Sequence, residues 1–431
     1  MPYEFTETGL RLQADVRQFM DDFIYPNEAE LREQQRQVGE HGYPPIMDKL
    51  KAAARERGLW NLFLPHLRPG EPGTKLSNVD YAPISEMLGK VGFASEALNC
   101  SAPDTGNMEV LHLYGSDRVK EQWLAPLLEG EIRSGFAMTE PAVASSDATN
   151  IALRIERDGD SYVLNGRKWF TSGIMSDRAQ MMVVMGKTDP KAPRHKQQSM
   201  IAVDKHAPGV TVMRSLSVFG YQDRGGHGEV DFQDVRVPAD NLLGEEGGGF
   251  AISQARLGPG RIHHCMRSIG VAERALELMV KRALARTTFG KLVAQQGVIQ
   301  QWIAQSRIEI DMAREYVLKT AYLMDTVGNK GAAAEISGIK VAVPNMTLKI
   351  IDRAIQVHGA AGVTGDFPLA EMYAHQRTLR IADGPDEVHE MTIARREILR
   401  HEPNFRMNQP AAGSVTAGAA AEAEPQPFAR P

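Results

Sequence analysis

Three stretches in the second half of the chain repeat apolar side chains at three- and four-residue steps over unusual lengths. They are "RIHHCMRSIGVAERALELMVKRALA" (261–285), "GVIQQWIAQSRIEIDMAREYVLKTAYLMDTV" (297–327) and "AAAEISGIKVAVPNMTLKIIDRAIQVHG" (332–359). At about 1.5 Å per residue, each is long enough to cross a helical bundle. Residues 244–403 are therefore expected to form a four-helix bundle of long antiparallel helices.

The same period governs the start of the chain, in "LRLQADVRQFMDDFI" (10–24), "PPIMDKLKAAARERGLWNLF" (44–63, with Gly58 as a stop) and "SDRVKEQWLAPLLEGE" (116–131). Residues 1–132 are read as a helical domain. Between the two helical regions the texture becomes short alternating runs, from "NIALRIERDGDSYVLNGRKWFTSG" (150–173) to "EVDFQDVRV" (229–237). Asp158-Gly159 and Asn165-Gly166 both read as hairpin turns, so residues 133–243 are expected to form a small antiparallel β-barrel or sandwich. The fold class is α+β, mostly α. Residues 404–431, rich in Ala, Gly and Pro, are expected to be disordered.

A net charge of −5, with both signs interspersed, offers no basic stripe for a nucleic acid. Two cysteines, Cys100 and Cys265, exclude a disulfide framework and a thiolate metal cage. The histidines show no HExxH spacing, and the side chains of adjacent His263 and His264 diverge on a helix, so no metal site is expected. No apolar run approaches the ~18–20 residues of a membrane span, and the acidic start lacks a signal core, which points to a cytoplasmic protein. No GxGxxG follows a strand, so a Rossmann site is not expected.

Five motifs carry a resemblance. "FAMTEPAVASSDATNI" (136–151), "NGRKWFTSG" (165–173), "RTTFGK" (286–291), "IQVHGAAGVTGDFPLAEMY" (355–373) and "RIADGPDEVHE" (380–390) resemble, in order and spacing, the signatures of the acyl-CoA dehydrogenase family. "LWNLFLP", "APDTGNMEVLHLYGS", "LGPGRIHHCMR" and "ADGPDEVH" are similar to the branch that in animals is fused to a kinase-like phosphotransferase domain. The resemblance implies FAD, a fatty acyl-CoA or related thioester, α,β-desaturation in fatty-acid β-oxidation, and electron transfer to an electron-transfer flavoprotein. It also implies a homodimer or homotetramer in which one subunit completes its neighbour's flavin site.

Residue by residue, the resemblance assigns flavin contact to Phe136, Met138, Thr139, Ser145 and Ser146, where small side chains let main-chain N–H groups approach closely; alone, this stretch reads as a capped helix-to-strand connection. Trp169 and Phe170, which alone read as strand core, would supply the aromatic contact and Thr171 a ring hydrogen bond. The segment is one residue shorter than the commonest family form, which leaves open which aromatic faces the ring. Arg286, otherwise a helix-end cation, would bind the neighbouring subunit's pyrophosphate, with Phe289 packing on the same cofactor. Gln356, Val357, Gly359 and Ala360, otherwise a helix C-cap, would meet that cofactor too.

In the family's reaction a carboxylate takes the α-proton while hydride leaves the β-carbon for flavin N5. Alignment of the last motif puts Asp383 at the base position, followed by Gly384 where substrate approaches closely. Pro385 suits the start of the next helix, and Asp386 and Glu387 suit the positive end of its dipole, with a flavin contact from the neighbouring subunit as the implied alternative. Most of the family has Glu where this chain has Asp383. The loss of one methylene is comparable to misplacements of ~1 Å, which cost about 100-fold in rate. Burial is expected to raise the Asp383 pKa, with Arg261 pulling the other way. Arg261, Ile262, His263, His264 and Ser146 are the expected substrate contacts beside Gly384, Arg261 also orienting the base. Competing readings are an acyl-CoA oxidase-like enzyme, a nitroalkane oxidase-like enzyme, which shares the aspartate, and a DNA-associated flavoprotein, which the charge disfavours.

Overall fold

The computed structural model describes residues 3–406, so the expected disordered segment lies outside the described residues from 407 onward. The chain begins with helices α1 (Glu7–Phe19), α2 (Glu28–Val38), α3 (Ile46–Glu56), α4 (Asn78–Gly89), α5 (Ala94–Ala97), α6 (Asp104–Tyr114), α7 (Asp117–Val119) and α8 (Ala125–Leu128). Their starts follow capping chemistry. The Thr6 and Ser77 hydroxyls accept from the main-chain N–H groups of Gly9 and Asp80, satisfying donors that the first turn leaves free. In α3, Ile46, Met47, Leu50 and Ala54 fall on one buried face, as the three-and-four spacing requires.

The middle region holds β1 (Arg133–Ala137), β2 (Arg154–Asp158), β3 (Ser161–Ser172), β4 (Ala179–Lys187), β5 (Gln198–Asp204), β6 (Val210–Ser215), β7 (His227–Pro238) and β8 (Leu242–Leu243). They form one sheet in the order β6-β7-β3-β1-β4-β5-β8, and β2 pairs with both β3 and β4, so β3, β1, β4 and β2 close a ring. Inside it Tyr162, Leu164, Val184, Ile201 and Phe232 form a separate apolar core.

Two details depart from the sequence expectation. The sheet is mixed, because β1, arriving from the helical domain rather than from a hairpin, runs parallel to β4. Asp158-Gly159 does turn the β2–β3 hairpin, but Asn165-Gly166 lies inside β3 at a register shift against β7. There the Asn165 side chain exchanges hydrogen bonds with Asp234, and Gly166, at φ +144°, leaves no room for a Cβ beside Leu153. The dipeptide makes a bulge instead of a turn.

The last region holds α9 (Gly249–Ala285), the small hairpin β9 (Thr287–Thr288) and β10 (Lys291–Leu292), α10 (Gly297–Gly331), α11 (Ala333–His358), α12 (Leu369–Thr378) and α13 (Asp386–His401). The bundle is built from the long helices α9, α10 and α11 and the shorter α13, which packs against α11. Helices α4 and α9 cross at Gly89 and Gly270, where an added Cβ would lie 2.1 Å from the Arg267 carbonyl oxygen and 1.9 Å from that of Glu86. This glycine contact locks the first region to the bundle. One continuous apolar core runs through both.

Candidate active site

Helix α9 carries Pro259 in its interior and Gly258 and Gly260 beside it. A Cβ on Gly260 would stand 3.3 Å from Asp383 Oδ2, so the bare glycine lets the aspartate approach the helix closely. Asp383 arrives on the turn between α12 and α13 with φ +57°, a conformation that Asp tolerates better than most residues. Its side chain is 17% exposed.

Burial alone would push this carboxyl up, as expected from the sequence. His264, Arg256, Arg261 and Lys340 together hold it below the ordinary carboxylate range instead. His264 Nε2 stands 3.5 Å from Asp383 Oδ2, yet burial and Arg267 push the imidazole down to about 4. At neutral pH the fixed charges that count there are therefore Arg256, Arg261 and Lys340, Arg256 remaining a cation although burial pushes it down to about 10. The expected contest between burial and Arg261 is decided by more cations than the motif revealed.

Arg256 also ties this turn of α9 to the β domain. Its guanidinium lies 3.6 Å from the centre of the Phe136 ring, and its Nε donates to Asn107 Oδ1 at 3.3 Å. Phe136 pairs across β1 and β3 with Ser172, next to Thr171. The Thr171 hydroxyl and the Trp169 indole N–H are both buried without a hydrogen-bond partner. Buried polar groups are ordinarily paired, so these two atoms leave hydrogen-bonding capacity open beside Phe136. Trp169 packs edge-on to Phe170, whose ring is 42% exposed.

The loop between Met138 and Ser146 is held from behind. Lys168, fully buried, donates to the Met138 carbonyl and to Glu140 Oε1, both at 2.8 Å. Glu140 accepts from the N–H groups of Ala152 and Leu153, and the Trp169 main-chain N–H donates to the Thr139 carbonyl at 3.0 Å. Ser145 Oγ accepts from the Glu140 N–H at 2.9 Å, which closes the loop and leaves Ser146 exposed.

The other expected residues are dispersed. Ile262 is fully buried in the core, and His263 packs edge-on against Tyr81 and Phe63, with burial pushing it down to about 3. Both are held in the core, whereas His264, one helical step further, faces Asp383. Arg286 caps α9, and Phe289 sits 95% exposed at the tip of the β9–β10 hairpin. Gln356, Val357, Gly359 and Ala360 end α11 at the same end of the bundle, where Arg282 lies over Phe367 and Phe367 packs on His358. From Gly260 to Ala285 the axis of α9 advances about 38 Å, so within one chain this group cannot reach Asp383. Asp386, expected as a helix-start acid with a flavin contact from the neighbouring subunit as the implied alternative, is buried and accepts from Arg380 Nε at 2.6 Å and Asn345 Nδ2 at 2.9 Å. Pro385 is the N-cap of α13 and Glu387 lies in its first turn. Gly384 has a reason within the chain itself: its φ is +102°, and a Cβ would meet His389 Nε2 at 2.9 Å.

Family models for the N-terminal, middle and C-terminal domains of acyl-CoA dehydrogenases match residues 6–131, 135–235 and 247–398. The chain belongs to the acyl-CoA dehydrogenase family. It is thereby an oxidoreductase. It is 54% identical over 408 residues to the probable acyl-CoA dehydrogenase FadE2 of Mycobacterium tuberculosis, covering 94% of this chain and 99% of that one. It is 54% identical over 400 residues to human acyl-CoA dehydrogenase family member 11, covering 91% of this chain but only 50% of that protein. A solved putative acyl-CoA dehydrogenase from Mycobacterium abscessus superposes with a TM-score of 0.89 at 48% identity, covering 93% of this chain and all of that one. Among the described residues no helix is long and apolar enough to cross a membrane, and no His, Cys, Asp and Glu cluster is suited to a metal ion.

Within this acyl-CoA dehydrogenase fold, sequence reasoning missed Arg256, Lys340, His389 and the Lys168–Glu140 pair. Lys340 left a signal: it is the lone charge in the apolar run "ISGIKVAV". A buried lysine there needs acceptors, and it finds them on the turn that carries Asp383.

Proposed function

We propose that this chain is an FAD-dependent acyl-CoA dehydrogenase that introduces an α,β double bond into a fatty acyl thioester, with Asp383 as the base that takes the α-proton. The observation that carries this reading is a shielded carboxylate set against a bare glycine of α9 and surrounded by fixed cations. When bound, FAD supplies the hydride acceptor. Phe136, Met138, Thr139, Ser145, Ser146, Trp169, Phe170 and Thr171 would hold it, and the unpartnered Thr171 hydroxyl and Trp169 indole N–H fit a polar ring edge.

Asp383 receives the proton while the same cations offset the negative charge that develops on the thioester. A carboxylate held below its usual range is a weaker base, so hydrogen-bond donors at the thioester oxygen carry a larger share of the barrier. Ser146, Arg261, His264 and Gly384 are the proposed substrate contacts. Arg286, Phe289, Gln356, Val357, Gly359 and Ala360, remote from Asp383 in their own chain, are proposed to hold the cofactor of an adjacent subunit in a homodimer or homotetramer. Pro385, Asp386 and Glu387 are proposed to meet the cofactor from the neighbouring side. Electrons leave to an electron-transfer flavoprotein.

The test is a panel of acyl-CoA thioesters mixed anaerobically with the yellow protein. Bleaching of the flavin, with only slow peroxide formation in air, supports the dehydrogenase; fast peroxide formation selects an oxidase. A colourless protein unable to take up FAD, or one bleached by a nitroalkane alone, overturns the reading. The subunit-crossing role of Arg286 predicts that Arg286→Ala purifies with well under half of the wild-type flavin-to-protein absorbance ratio. Full occupancy after gel filtration would remove that role.

A further inference from the structure

The Asp383 turn is gripped by its main chain. Lys340, buried on α11, donates through Nζ to the Leu379 carbonyl and, at 3.4 Å, to the Gly384 carbonyl, so one ammonium group bridges both ends of the turn. The Asp383 carbonyl itself accepts from Arg261 Nε at 2.9 Å, and His389 Nε2 stands 3.2 Å from it. That contact is a hydrogen bond when the imidazole proton sits on Nε2, and the ring is neutral at working pH because burial pushes it down to about 4. By contrast, the only basic side chain within 4 Å of the Asp383 carboxylate among the described residues is His264, at 3.5 Å and neutral at working pH. The far side of the turn is pinned by Arg380 and Asn345 on Asp386.

We propose that Lys340 and His389 are positioning residues: they fix the aspartate through backbone carbonyls of its turn, Lys340 at Leu379 and Gly384 and His389 at Asp383 itself, leaving the short carboxylate uncommitted and aimed along Gly260. A lysine with no carboxylate within 4 Å would ordinarily be excluded from a core; here the carbonyls at the end of α12 and of Gly384 take its donors. The arrangement answers the problem that one lost methylene creates. A shorter side chain tolerates less wander of its own backbone, since about 1 Å of misplacement is worth about 100-fold in rate. The groups facing Lys340 from the neighbouring elements are Cys265 and Arg261 of α9, Asp383 on the turn and Asp386 of α13.

The inference rests on Asp383 being the base, and the experiment separates the two. Holoenzyme variants Lys340→Met, Lys340→Arg, His389→Leu and His389→Gln are compared with Asp383→Asn for the rate of anaerobic flavin reduction. Washout of α-deuterium from acyl-CoA into water, a measure of proton abstraction itself, is followed in parallel. Lys340→Met and His389→Leu are expected to slow both by about 10- to 100-fold with bound FAD and apparent acyl-CoA affinity kept, and His389→Gln, which restores an N–H donor, to recover most of the loss. Lys340→Met also removes a positive charge from beside Asp383, so the acid limb of its reduction rate moves to higher pH, whereas Lys340→Arg leaves that limb in place. If Lys340→Met is recovered unfolded, the His389 pair alone decides. Wild-type rates in His389→Leu, or equal losses in His389→Leu and His389→Gln, overturn the proposal. If Asp383→Asn itself still washes out deuterium, the base assignment falls first.

Discussion

Asp383→Asn keeps its FAD and its fold but loses anaerobic bleaching by acyl-CoA, with the reduction rate falling by about 10²–10⁴-fold, the usual worth of a positioned general base. The substitution preserves shape, and no main-chain group depends on the carboxylate oxygens, since Arg261 and His389 bind the Asp383 carbonyl. What it removes is the negative charge facing Arg256, Arg261 and Lys340. The folded-state pKa of Asp383 is depressed, so its charge contributes stability above the unfolded value and that contribution disappears as pH falls through the folded value. The variant lacks this contribution at neutral pH and melts somewhat lower than wild type. For the same reason the wild-type reduction rate is flat with respect to this group between about pH 6 and 8, because a depressed carboxyl is already ionised there. Stopped-flow absorbance of the oxidised flavin checks both statements. Retained bleaching would exclude Asp383 as the base, and a limb near neutrality would show that burial outweighs the cations.

What the sequence disclosed of this site follows from how its parts are encoded. Asp383 and Gly384 stand in a contiguous motif, and Asp158-Gly159 turns a hairpin through two adjacent residues; both are local statements that a linear reading catches. Asn165-Gly166 carries the same local signal, yet its outcome is set by Asp234, distant in sequence, and by the crowding of Leu153. The parallel pairing of β1 with β4 has no local signature at all. Periodicity marked α9 from Arg261 and α11 as core helices; Arg256 lies in the part of α9 before that run, and Lys340 was hidden because a single charge in an apolar stripe barely disturbs the pattern. The same blindness explains the pKa expectation: the motif supplied Arg261, whereas the sign depends on the summed field of residues from two helices, α9 and α11. His263 and His264, adjacent in sequence, separate into a core residue and a neighbour of Asp383 because a helix turns about 100° between them.

Arg133→Leu is expected to have the largest effect on stability. Arg133, the first residue of β1, is 8% exposed and ion-pairs with Glu96 of α5 at 2.8 Å and with Asp104 of α6. Asp104 also accepts from the Ser134 N–H at 2.7 Å, and Glu96 is met by Arg224 from the segment between β6 and β7. The cluster is the polar joint between the helical domain and the β domain. Leucine fills much of the volume but leaves two buried carboxylates short of their shared cation, a change that costs about 3–5 kcal/mol. Against burial, Arg133, Arg224 and Lys51 hold Glu96 far below the ordinary carboxylate range, so it stabilises the fold above its unfolded value and that stabilisation is lost only as pH falls through the depressed one. Without Arg133 the Glu96 carboxyl moves up, and acid unfolding shifts to higher pH. Tryptophan fluorescence followed in urea and across an acid titration measures both. A variant with the wild-type acid midpoint would mean that Arg224 and Lys51 suffice. The joint also reaches the chemistry: α6, anchored by Asp104, presents Asn107 to Arg256, the cation between Phe136 and Asp383. Loosening α6 should therefore slow flavin reduction in the folded variant at pH values where the protein has not begun to unfold.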